Sequence, residues 1–160
     1  VKMTEEERAA FLKATGFKET AQPGTFHRYR KGGEVLGWAF VQDRMGKHEP
    51  ITFITRMDDA GKVLSVEVLI YREARGGEVA GGKWLKQFAG KYSKAQLKVG
   101  RDVANFAGAT ISSNAVADGT RRALALFAFA KKQAPPVPAT VEAPANPAAP
   151  DVTPSAKAAP

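Results

Sequence analysis

Hydrophobic and polar positions along this chain follow two periods, and the switches between them mark out the elements. Near the amino end, Thr4-Glu5-Glu6-Glu7 spells a capping box, with Thr at the N-cap and Glu three residues on. Ala9, Phe11 and Leu12 supply a modest apolar side, so a short first helix is expected, ending near Gly16. Thr25 to Arg30 and Glu34 to Asp43 are rich in aromatic and β-branched residues, and Lys31-Gly32-Gly33 between them is a hairpin turn signal. Ile51 to Met57 and Lys62 to Tyr71 form a second strand pair across Asp58-Asp59-Ala60-Gly61, although the alternation of Val63, Ser65, Glu67 and Ile70 is imperfect. From Glu78 to Phe88 the period turns helical, with Val79, Trp84, Leu85 and Phe88 near three-to-four spacing and Gly81-Gly82 weakening the first turn. A third helix is expected from Ser112 or Ser113 to about Lys132. Val116, Thr120, Ala123, Leu124 and Phe127 line one face, Gly119 is a local cost, and Lys131 and Lys132 suit the negative end of the helix dipole. The order of elements predicts an α+β fold, a small antiparallel meander sheet packed with about three helices.

Composition changes this picture at the carboxyl end. Eight of the ten prolines lie at or beyond Pro135, in Ala/Pro-rich sequence with almost no large apolar residue. Burial there cannot offset the entropy of ordering, so residues 133–160 are expected to be a flexible, disordered tail and residues 1–132 the folded domain. The formal net charge is +8, and because the tail holds only Glu142, Asp151 and Lys157, the remainder carries one positive charge more. The basic residues are scattered, without RNA-binding or zinc-finger spacing, so no nucleic-acid partner is expected. Anionic headgroups, an acidic protein or a phosphorylated ligand fit the charge. With no cysteine and two histidines, disulfides, thiolate metal sites, iron–sulfur ligation and cysteine nucleophiles are excluded, and no metal site is expected. The longest apolar stretch, Ala123 to Ala130, is far short of the roughly 20 residues a spanning helix needs. The start at Val1-Lys2-Met3 suits a chain that has lost a signal peptide or anchor.

The run Ala107-Gly108-Ala109-Thr110-Ile111-Ser112-Ser113 sets a hydroxyl between small residues and a helix start. Free N–H groups and the positive dipole end favour a phosphate there, and Gly108 and Ala109 allow close approach. The same spelling also serves as an ordinary N-cap.

Together with Val99-Gly100-Arg101-Asp102-Val103 upstream and Asn114 to Leu124 downstream, this run resembles the flavinylation segment of the FMN-binding domain family. That family includes the G subunit of Rnf-type electron-transport complexes and the C subunit of the sodium-pumping NADH:quinone oxidoreductase. Tyr71-Arg72-Glu73-Ala74-Arg75-Gly76-Gly77-Glu78 resembles the segment that in the family lies against the isoalloxazine, with Glu73 and Gly76 matching and Ala74, Arg75 and Glu78 departing. Gly46-Lys47-His48-Glu49-Pro50-Ile51 and Gly37-Trp38-Ala39-Phe40 are also similar to family segments, the former to small stand-alone members. His48 is either a flavin-edge or proton-shuttling group or simply solvated, and Trp38 is assigned to the core.

The resemblance implies FMN joined by a phosphoester to Thr110, with Gly108, Ala109, Ile111, Ser112 and Ser113 around the phosphate and Glu73 and Gly76 at the ring end. Arg101, Arg121 or Arg122 are candidates to complete the phosphate cradle. No catalytic residue is assigned: the chain reads as an extracytoplasmic, periplasmic-side electron carrier rather than a stand-alone enzyme. Its partners would be a redox protein or membrane electron-transport complex, with a separate flavin transferase for maturation. Where the family motif has Asp six residues and Ser or Thr three residues before the modified threonine, this chain has Ala104 and Ala107. Those departures suit an accessory subunit that keeps the fold with weak or no flavinylation.

Overall fold

The first helix, α1 (Glu5–Thr15), forms where the capping box predicts it: Thr4 Oγ1 accepts from the Glu7 amide, and the Glu7 carboxylate accepts from the Thr4 amide. It ends at Gly16 in the left-handed conformation. The computed structural model describes residues 3–17, 25–31, 34–92 and 95–136. The predicted Gly32-Gly33 turn and most of the Ala/Pro-rich tail lie outside the described residues.

Four antiparallel strands follow in meander order, β1 (Thr25–Lys31), β2 (Glu34–Met45), β3 (Pro50–Met57) and β4 (Val63–Ile70). Alternation decides the faces of β2 and β3: Trp38, Phe40 and Gln42, and Ile51, Phe53, Thr55 and Met57, are buried. In β4 the buried positions are Val63 and Val66, because the pairing with β3 shifts between Thr52 and Phe53 and between Arg56 and Met57. Those irregularities account for the imperfect alternation in the sequence. The Asp58–Gly61 turn is held by Asp58 Oδ1, which accepts from the amides of Ala60 and Lys62.

The single helix expected over Glu78 to Phe88 is instead three short turns: 3₁₀ turns at Gly77–Ala80 and Lys86–Phe88 around α2 (Gly82–Leu85). Gly81, extended at φ −67° and ψ 129°, breaks the run. The last helix, α3 (Thr110–Gln133), starts two or three residues before the expected Ser112 or Ser113. Its face of Val116, Thr120, Ala123, Leu124 and Phe127 is buried against the inner face of the sheet. Gly119 sits where the helix crosses the sheet: a Cβ there would collide with Phe53 Cζ, and its carbonyl accepts from Gln42 Nε2 at 2.8 Å. Its helix-propensity cost thus accompanies a close approach of helix to sheet. Trp38 is core, packed edge-on to Phe127 with its Nε1 donating to Asp59. Phe11 meets Phe129 edge-on and seats α1 on α3.

Candidate functional site

The amino end of α3 opens into a cavity of about 530 Å³ lined by Lys47, His48, Glu73, Ala74, Arg75, Gly108, Ala109, Thr110, Ile111 and Ser112. Three segments distant in sequence meet there: the β2–β3 loop, the chain leaving β4, and the α3 start. Its volume falls within the roughly 300–1,000 Å³ typical of small-molecule sites.

The approach to α3 is set from below. Trp84 Nε1 donates to the Ala104 carbonyl at 2.8 Å, and Gln87 Oε1 accepts from the Ala104 amide at 2.7 Å, hanging the incoming chain on α2 and the turn after it. Upstream, Asp102 accepts from the amides of Leu97 and Lys98 and shapes the 97–103 loop. Burial pushes the Asp102 carboxyl up, but the amides of Lys98, Leu97 and its own residue outweigh it and bring it below the ordinary range. With both oxygens engaged in that loop, Asp102 does not stand in for the carboxylate missing at Ala104. A turn closed by the Ala109 amide on the Phe106 carbonyl follows, with Gly108 at φ +84°.

The N-cap of α3 is Ala109, which makes no side-chain cap bond. The first intrahelical bond runs from the Ser113 amide to the Ala109 carbonyl, which leaves the amides of Thr110, Ile111 and Ser112 without helical acceptors. Of the two meanings open for this run, the ordinary N-cap is absent: no hydroxyl occupies the capping position, and the helix begins at Thr110 itself. Thr110 is exposed, and its Oγ1 accepts from Asn105 Nδ2 at 3.3 Å. Ile111, half-exposed, is the apolar element of the wall.

The serines have other neighbours. Ser112 is buried and its hydroxyl pairs with the Tyr71 hydroxyl at 3.1 Å, while Tyr71 donates to the Arg75 carbonyl. Ser113 faces inward, fully buried, and does not line the cavity; its Oγ has no hydrogen-bond partner among the described residues. Gly76, at φ +78°, backs onto the helix start, where a Cβ would meet Tyr71 Oη at 2.9 Å and Ala109 Cβ at 3.0 Å. Glu73 does line the cavity, but its Oε1 accepts from the amides of His48 at 2.7 Å and Glu49 at 3.2 Å. The His48 amide is the main reason its carboxyl lies below the usual range, with partial burial opposing.

The three arginine candidates for a phosphate cradle lie elsewhere. Arg101 donates to Gln96, Arg121 pairs with Asp118 and lies over Phe17, and Arg122 is buried over Phe40 with a bond to Gln42. Arg72 donates to the Pro50 carbonyl and Thr52. The cations on the cavity are Lys47 and Arg75, both exposed, with His48 beside them. Lys47 belongs to a family-like segment that gives it no role of its own, and Asn105 has no sequence signal beyond its nearness to Thr110.

An α+β domain with an uncapped helix start, exposed cations and one apolar wall around a shared cavity has the features that suit a phosphorylated small molecule. The family model for the FMN-binding domain matches residues 46–125, a span that contains every residue lining the cavity. The chain belongs to the FMN-binding domain family. It is 33% identical over 119 residues to the G subunit of the ion-translocating oxidoreductase complex of Stutzerimonas stutzeri, an alignment covering 66% of this chain and 52% of that protein. The chain thus spans about half the length of the curated relative it matches.

Proposed function

We propose that this chain is an electron-transfer flavoprotein domain that carries FMN in the cavity at the α3 start, bound through a phosphoester to Thr110. It would work on the extracytoplasmic side, relaying electrons to or within a membrane-associated redox complex, after a separate flavin transferase has attached the cofactor. The observation that carries this proposal is the placement of Thr110: an exposed hydroxyl on the first residue of an uncapped 24-residue helix, opening on the cavity. The residues fit the group. Amides of Thr110, Ile111 and Ser112 suit a phosphate, Lys47 and Arg75 add positive charge, and Ile111 offers an apolar surface to a ring.

Bound FMN supplies one- and two-electron redox chemistry. The protein supplies attachment and local charge: a covalent bond removes dissociation as a competitor, and nearby cations favour anionic reduced forms. Family membership and the similarity to a component of an ion-translocating complex support the redox-complex setting. No helix among the described residues is long and apolar enough to cross a membrane.

The second reading, an accessory subunit without flavin, is favoured by Ala104 and Ala107, which leave the approach to Thr110 without the carboxylate and hydroxyl of the family motif. Intact mass of the protein isolated from its native host separates the two. Polypeptide plus one FMN minus one water is expected; an unmodified mass with no yellow colour selects the accessory reading.

A further inference from the structure

The tip of the β2–β3 loop is closed by a bond from the Gly46 amide to the Glu49 carbonyl at 2.9 Å. A carboxylate from the chain leaving β4 fills its concave side. Glu73 Oε1 takes the amides of His48 and Glu49, 25 and 24 residues away in sequence. This insertion depends on the missing side chain at Gly46, where a Cβ would stand 2.5 Å from Glu73 Oε1 and 3.0 Å from the Glu49 carbonyl oxygen. Beyond the last ladder pair, Met45 with Pro50, the carboxylate ties the tip to the wall that carries Arg75. The tip bears Lys47 and His48, both exposed and both lining the cavity together with Thr110 and Ile111. Two backbone donors meet Glu73 Oε1, so that oxygen is committed to the tip rather than to a ligand ring.

We propose that Glu73 is a positioning residue, a latch whose carboxylate holds the Gly46–Glu49 tip so that Lys47 and His48, rather than Glu73 itself, are presented to the bound flavin. This inference rests on FMN being the ligand of the cavity. The latch tunes the flavin through the two side chains it places: the Lys47 ammonium held near the ring favours the reduced, more anionic cofactor and raises its potential, and the His48 imidazole adds a hydrogen-bonding edge.

Two measurements test the latch. In flavin-free protein, amide hydrogen exchange at His48 and Glu49 should be slow in the wild type and in Glu73→Gln, whose amide oxygen still accepts. Exchange should be about tenfold or more faster in Glu73→Ala and in Gly46→Ala, which displaces the carboxylate without removing it. In flavin-loaded protein, Glu73→Ala and Glu73→Gln remove the same negative charge, so any direct field of that charge shifts both potentials alike. The latch predicts a lower potential for Glu73→Ala than for Glu73→Gln, and predicts that this gap closes in a Lys47→Met/His48→Gln background. Unchanged exchange in Glu73→Ala, equal potentials for the two Glu73 variants, or a gap that persists without Lys47 and His48 would overturn it. If the native protein carries no flavin, the proposed function falls, while the exchange experiment still decides whether the latch exists.

Discussion

Thr110→Val exchanges a hydroxyl for a methyl at an exposed helical position, and should leave the fold nearly untouched. In-gel flavin fluorescence under denaturing conditions is expected to vanish; if it persists, the bond lies on another residue, with Ser112 first in line because it borders the cavity. Two glycines at the site give a graded test of the backbone. Gly108, at φ +84°, has open space where a Cβ would stand, with nothing within 4 Å, so Gly108→Ala should cost only the backbone strain, about 1–2 kcal/mol. Gly76→Ala adds collisions with Tyr71 and Ala109 to a similar φ and should cost more in the same urea titration. Of the eight residues the family resemblance points to, Thr110, Gly108, Ala109, Ile111, Ser112 and Glu73 line one cavity, and Gly76 and Ser113 do not. Lys47 carries no pattern of its own: its place follows from a loop folding back, which no local spacing encodes.

Among the elements, those with local determinants are legible in the sequence. The capping box of α1, the Asp58–Gly61 turn and the strand alternation each depend on residues a few positions apart, and the meander places consecutive strands side by side. The α3 start departs from the expected one because hydroxyl residues normally choose the N-cap, whereas here the bonds from Trp84 and Gln87 to Ala104 deliver the chain so that helix begins at Thr110. The role of Gly119 is hidden for the same reason, since its partner Phe53 lies on another element. Gly119→Ala should gain up to about 1 kcal/mol of helix propensity and lose about 1–3 kcal/mol to overpacking against Phe53 and Arg44. A net fall in thermal midpoint is therefore expected; a rise would mean that the helix shifts away from the sheet at no cost.

The whole molecule should be acid-sensitive in a defined window. Glu7, Asp59, Glu73 and Asp102 all titrate below their ordinary values. The first three are lowered chiefly by the Thr4 amide, Lys131 and the His48 amide, and the Asp102 shift is the surplus of its amides over burial. Each binds its proton less tightly folded than unfolded, so their stabilisation is complete above the normal carboxylate range and is lost as pH falls through the depressed folded values. Thermal midpoints should be flat from about pH 7 to about 5 and drop below about 4. A midpoint that rises on acidification would reverse the sign. Truncation after residue 136 removes Ala/Pro-rich sequence with little apolar surface to bury, and is expected to leave both midpoint and flavin content nearly unchanged.

The Tyr71 hydroxyl gives the proposed relay a further property. By joining the Arg75 carbonyl to the Ser112 hydroxyl, one phenol ties together two of the segments that line the cavity. A redox carrier is filled and emptied many times, and each transfer is slowed by whatever its surroundings must rearrange. A tie between those segments keeps that rearrangement small, so a Tyr71→Phe protein would hold its cofactor and yet exchange electrons more slowly, its walls breathing with every cycle.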